Sequence, residues 1–164
     1  MGLDISVSMT PNEFIEYYAD LPRDEAVRPE FEAALGRLGV PGHKPYSCRP
    51  GGYSGLHLVR VAYAKLKGWP VNWDRHGGTV NVAACEAALE SHLVNHSDCD
   101  GWYLPDTFEH PNVGSVSIGS SRKLVAELME LDRKTMDERT GESWDVVFVA
   151  AVLSAFGGQP IKFH

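Results

Sequence analysis

Proline and glycine cut this chain into short pieces, and the few uninterrupted stretches between them decide what it can fold into. Ten prolines and sixteen glycines set those boundaries. Within those stretches apolar residues recur at three and four positions, the period of a helix with one buried face. From Ser54 to Lys67 that face comprises Leu56, Val59, Tyr63 and Leu66, with Ser54 as N-cap and Gly68 as the stop. The spacing predicts further helices over Val80–Asn95 (Val82, Cys85, Leu89, Leu93), over Ser121–Glu138 (Leu124, Leu128, Leu131) and over Ser143–Phe156 (Trp144, Val147, Phe148, Ala151, Val152). Ser120 or Ser121 caps the second of these, and Gly157-Gly158 ends the third.

Upstream, Thr10-Pro11-Asn12-Glu13 reads as a capping box that opens a short helix through Phe14, Ile15, Tyr17 and Tyr18. Another helix is expected over roughly Glu30–Leu38. Residues 3–8 alternate as a strand does, and Pro160–His164 reads as a closing strand. Short extended pieces are expected at Gly101–Leu104 and Ser115–Ile118. The expectation is a single globular α+β domain over residues 1–164, dominated by about five helices. Its short sheet pairs the N- and C-terminal strands.

No apolar run approaches the ~20 residues that span a bilayer. The start, MGLDISVSMT, lacks the basic and apolar regions of a signal peptide. Cys48, Cys85 and Cys99 are odd in number and show no C-x-x-C spacing, which fits a reducing compartment better than a disulfide framework. A cytoplasmic location is expected, without a membrane partner.

The net charge of −7 disfavours bulk nucleic-acid binding, which rests on phosphate neutralisation. That average hides a segregation. Residues 33–73 contain no Asp or Glu, while Arg37, Lys44, Arg49, Arg60, Lys65 and Lys67 give them +6, so the remainder carries −13.

Inside the cationic window lies the glycine turn Arg49-Pro50-Gly51-Gly52-Tyr53-Ser54, followed by His57 and Arg60. Glycines let the backbone turn sharply, and the free N–H groups of a helix start favour an anion. Ser54 can donate a hydroxyl, Arg49 and Arg60 can fork onto phosphate oxygens, and Tyr53 offers a ring to stack on a base. The Gly-Lys-Ser/Thr ending of a Walker loop is missing. The bland alternative is a capped glycine turn with solvated arginines.

His92 and His96 stand at i and i+4, with Asp98 and Cys99 following, a partial match to a metal site. The Glu of H-E-x-x-H is missing, and the alternative is a helix end decorated with histidines. No G-x-S-x-G elbow occurs. His57 with Asp98 is a general acid/base pair only if the fold brings them together. Trp69, Trp73, Trp102 and Tyr103 flank loops, where they either wall a base pocket or anchor the loops to the core.

Several motifs together resemble a family of small, largely uncharacterised proteins of phages and bacterial prophages. They are Met1-Gly2-Leu3-Asp4-Ile5, Tyr53-Ser54-Gly55 with His57 and Arg60, Asn95-x-Ser97-Asp98-Cys99-Asp100-Gly101, Lys123-Leu124, and Ile161-x-Phe163-His164. The chain departs from that pattern at His96, where an aromatic is usual, at His92, where an acid is usual, and in a longer loop over Tyr103–Gly119. The resemblance implies a host-cell setting in which such proteins bind host factors, or sequester or cleave nucleotide signals of antiviral defence.

The leading expectation is therefore a module binding a small phosphorylated or nucleotide-like ligand through Arg49, Gly51, Gly52, Tyr53, Ser54, His57 and Arg60, with Asp98 completing the pocket. One alternative is a phosphodiesterase-type hydrolase using His57 and Asp98. Another is an inhibitor that docks its acidic surface on a host protein. No cofactor is expected, no complete catalytic signature is present, and a homo-oligomer stays open.

Overall fold

The computed structural model describes residues 5–7, 46–48, 53–73, 78–96, 101–105, 112–113 and 116–163. They form a helix-dominated α+β fold: strands β1 (Ile5–Val7) and β2 (Tyr46–Cys48), helix α1 (Tyr53–Lys67), strands β3 (Val71–Asn72) and β4 (Thr79–Val80), and helix α2 (Glu86–Leu89). Strands β5 (Gly101–Leu104), β6 (Asn112–Val113) and β7 (Val116–Ser120) follow, then helices α3 (Ser121–Met129) and α4 (Glu138–Gly157), and strand β8 (Ile161–Phe163). The helices expected after Pro11 and over Glu30–Leu38 lie outside the described residues.

The six-stranded sheet has the order β2-β1-β8-β5-β7-β6. The terminal strands pair as expected, antiparallel, with Ile5 opposite Phe163 and Val7 opposite Ile161. On its other edge β8 pairs antiparallel with β5, Tyr103 facing Ile161. Strand β7 runs parallel to β5, and β8 lies between the β1–β2 pair and β5. A separate two-stranded ribbon pairs β3 with β4.

Helix α1 buries Leu56, Val59, Tyr63 and Ala64 as the periodicity requires, although Leu66 is exposed. It stops at Gly68, whose φ of 71° is left-handed. Helix α3 starts where Ser120 accepts a hydrogen bond from Lys123 N, so Ser120 rather than Ser121 is the cap. The helix ends at Met129, short of the expected Glu138, because two aspartates restart the chain. Asp132 accepts from Lys134 N to cap a 3-10 turn, and Asp137 accepts from Thr140 N to cap α4. Helix α4 closes on Gly158 (φ 72°). It packs on α1 and α3 and lies against β1, β5 and β8. Its inward face includes Gly141, Ser143, Ala150, Ala151, Ser154 and Ala155, residues small enough for close approach of backbones.

The helix expected over Val80–Asn95 is largely absent. In its place are β4, a 3-10 turn at Val82–Ala84, the single turn of α2 and irregular turns to His96. Side chains from elsewhere satisfy its backbone. The Glu127 carboxylate accepts from the N–H groups of His92 (2.9 Å) and Leu93 (2.7 Å). Arg60 donates to the carbonyls of Leu93 (2.7 Å) and His96 (2.8 Å). These bonds replace the i→i−4 ladder, and no local periodicity could announce them.

Candidate protein-docking surface

The glycine-turn residues meet different fates. Arg49, Gly51, Gly52 and Asp98 lie outside the described residues, while Tyr53 and Ser54 form the first turn of α1. His57 is half-buried, its Nε2 3.4 Å from Thr79 Oγ1. Arg60 is only 4 % exposed, with Nε and Nη2 donating to backbone carbonyls inside the fold. Desolvation lowers its pKa, opposed by Tyr103 beside it. The reason for this burial was visible in the sequence: Arg60 sits four residues after Leu56 and three before Tyr63, within the apolar stripe of α1. It serves as an internal staple, which corrects the reading of Arg60 as an open anion receptor.

The histidine pair is also internal. His92 and His96 are buried in turns rather than on the helix that i, i+4 ligation presumes. His92 Nδ1 accepts from Ser120 N at 2.8 Å. His96 Nε2 donates to the Trp102 carbonyl at 3.0 Å, and the His96 ring stacks on Tyr103 with centroids 4.1 Å apart. Gly119 completes that packing, since a Cβ there would collide with the Tyr103 ring. Among the described residues no three His, Cys, Asp or Glu side chains gather as a metal site.

Trp102 and Tyr103 belong to the buried interior rather than to a pocket wall. Trp69 packs edge-on against Tyr63. Of the four loop aromatics, only Trp73 is exposed, with Lys65 Nζ 4.5 Å from its ring centroid.

Glu127 is the structural residue that sequence reasoning missed. It sits between Leu124 and Leu128 on α3, and besides the two amides it accepts from Ser91 Oγ at 3.0 Å. Burial raises its pKa, and the three hydrogen bonds partly offset that rise. Together Glu127 and Arg60 hold one segment by its N–H groups and by its carbonyls.

Arg60 and Lys162 are buried, so neither cation offsets the carboxylates at the surface. Acidic residues concentrate in three blocks of sequence: residues 1–32 with eight acids and two arginines, 98–109 with four acids and no Lys or Arg, and 127–145 with seven acids against three cations. The last block is described throughout. Glu130, Asp132, Asp137, Glu138, Glu142 and Asp145 are exposed there. Glu138, Glu142 and Asp145 follow one another at i, i+4 and i+7 along α4, so they share a face, with axial steps of about 6 Å and about 4.5 Å. Asp145 takes a two-pronged bond from Arg133, at 3.0 Å on each oxygen. Glu130 accepts from Tyr63 (3.0 Å) and pairs with Lys67, which holds its pKa below the usual range.

Beside this block runs a groove of about 690 Å³. Leu58, Val61, Leu66 and Trp73 supply apolar lining, Glu130, Asp132 and Asp137 supply carboxylates, and Lys65 adds one cation. Such an arrangement can receive cationic side chains, whose apolar stems need lining and whose heads need acids. Among the described residues no helix is long and apolar enough to cross a membrane.

A family model described as "Putative DNA-mimic protein" matches residues 1–147. No curated protein and no solved structure matches the chain. The family match overturns the expectation of a small nucleotide-like ligand, and with it the phosphodiesterase alternative. It favours the third expectation, an acidic surface facing another protein. The chain belongs to the family of that description.

Proposed function

We propose that this protein occupies the DNA-binding surface of another protein, presenting carboxylates where that surface meets phosphates. The carrying observation is the exposed row on the first half of α4, Glu138 and Glu142 followed by Asp145, the last of them paired with Arg133. A strand of duplex DNA presents one charge per roughly 3.4 Å of axis. The helix offers a sparser row on a similar length scale, without the reorganisation cost of a loop. Acids in 1–32 and 98–109 add to the negative field that would steer a basic partner. The resemblance to small phage and prophage proteins supports a host DNA-binding protein as the target, met in the host cytoplasm.

Competition against DNA tests this reading. Titrated into purified DNA-binding proteins that hold fluorescent duplex, the protein should release the duplex from at least one of them. Its own affinity for that target should fall steeply between roughly 50 and 200 mM salt, as ion-release binding does. Duplex retained across the panel, with no protein from a bacterial lysate held at low salt and eluted by DNA, would sink the proposal.

A further inference from the structure

The outward face of α4 does not end with its acids. Three and four residues at a time, the stripe Glu138, Glu142, Asp145 continues through Val149, Leu153 and Phe156. At about 100° per residue all six fall within one sector of the helix. Val149 is 42 %, Leu153 41 % and Phe156 79 % exposed, while the opposite face carries the core contacts of Val147, Ala151 and Ala155. The stripe is about 27 Å long, with carboxylates in its N-terminal half and large apolar groups in its C-terminal half.

We infer that the DNA-binding target docks along this whole stripe, its basic surface against Glu138 and Glu142 and an adjoining apolar patch against Val149, Leu153 and Phe156. The inference rests on the DNA-mimic reading and deepens it by naming the chemistry of the partner's surface. Charge complementarity selects this occupant over a second copy. Two α4 stripes paired antiparallel would press the Glu138 and Glu142 carboxylates onto Leu153 and Phe156, burying charge without a partner. Paired in parallel, they would set acid against acid. A basic patch bordered by apolar residues satisfies both halves at once. An exposed aromatic at one end is also the kind of anchor that dominates protein interfaces, and bare phosphate mimicry would have no use for it.

The test compares two double variants with wild type in capture from a bacterial lysate and elution by duplex DNA, followed by affinity against the purified target. All six positions are solvent-facing, and unchanged thermal unfolding verifies that each variant is folded. Leu153→Ser with Phe156→Ser should weaken binding tenfold or more while leaving the salt dependence as in wild type. Glu138→Gln with Glu142→Gln should instead flatten the salt dependence. If wild type holds a DNA-displaceable target and the apolar variant binds it equally well, the inference falls and the mimicry reading stands. If wild type holds no such target, both fall. Sedimentation that finds a wild-type dimer dissolved by the apolar variant would assign the stripe to a second copy and overturn the inference.

Discussion

At the scale of single residues, two ionisable side chains, Arg60 buried and Glu127 half-buried, organise the part of the chain that lacks regular structure. Arg60 reaches from α1 to the carbonyls of Leu93 and His96, and Glu127 reaches from α3 to the amides of His92 and Leu93. Removing either leaves buried backbone groups unpaired, which costs far more than a surface ion pair contributes. Glu127→Ala is expected to lower stability by about 2–4 kcal/mol in urea unfolding, by loss of three hydrogen bonds in a buried setting. Glu127→Gln gives the pH signature. The folded-state pKa of Glu127 is raised, so the folded protein binds this proton more tightly than the unfolded chain. Its contribution is therefore greatest in acid and declines as pH rises from the ordinary carboxylate range through the raised value. Wild type should therefore lose stability relative to Glu127→Gln over that interval. A pH-independent difference would contradict the assignment. Neither ion could be identified from composition. Arg60 was nonetheless traceable, since an arginine at the i+4 position of an apolar stripe points inward with its neighbours.

At the scale of elements, capping explains where helices begin better than apolar periodicity does. The leucines at 124, 128 and 131 continue the helical period beyond Met129, yet the helix stops, because Asp132 and Asp137 each draw nearby N–H groups into a new start. Asp137 accepts from Thr140 N at 3.0 Å and Thr140 Oγ1 at 2.7 Å. Those bonds depress its pKa, so its stabilising effect is present above the ordinary Asp range and is lost as pH falls through the lower folded value. Asp137→Ala should destabilise the protein by about 1 kcal/mol, the usual worth of an N-cap, read as a lowered melting temperature. No change in melting at neutral pH would show that α4 is held by packing alone. The same cap defines the docking stripe, because it sets where Glu138 and Glu142 enter the helical period.

At the scale of the whole molecule, the short strand β8 is the seam of the sheet. It lies between β1 and β5, so it joins segments more than ninety residues apart in sequence. Ending the chain after Gly158 would remove β8 and expose two strand edges beneath α4. The expected result is loss of the cooperative thermal transition, and a transition at the wild-type temperature would refute that role. Charge is likewise a property of the whole. The cationic window of residues 33–73 contains the glycine turn, but its Arg60 is structural, and most of the described acids gather around the start of α4.

What the sequence determined by itself is what short-range physics can specify. Alternation marked β1, residues 160–164 read as the strand that is β8, the three-to-four period marked α1 and most of α4, Ser120 or Ser121 marked the start of α3, and Gly68 and Gly157-Gly158 marked helix ends. Each depends on residues within a turn or two of one another. Only the tertiary structure decided the rest: that His92 and His96 turn inward, that 80–96 gives up its helix, that Trp102 and Tyr103 are interior, and that six side chains of α4 face outward together. Those outcomes depend on partners in other elements, some of them thirty or more residues away, whose desolvation and hydrogen bonding outweigh local propensity once the chain has closed.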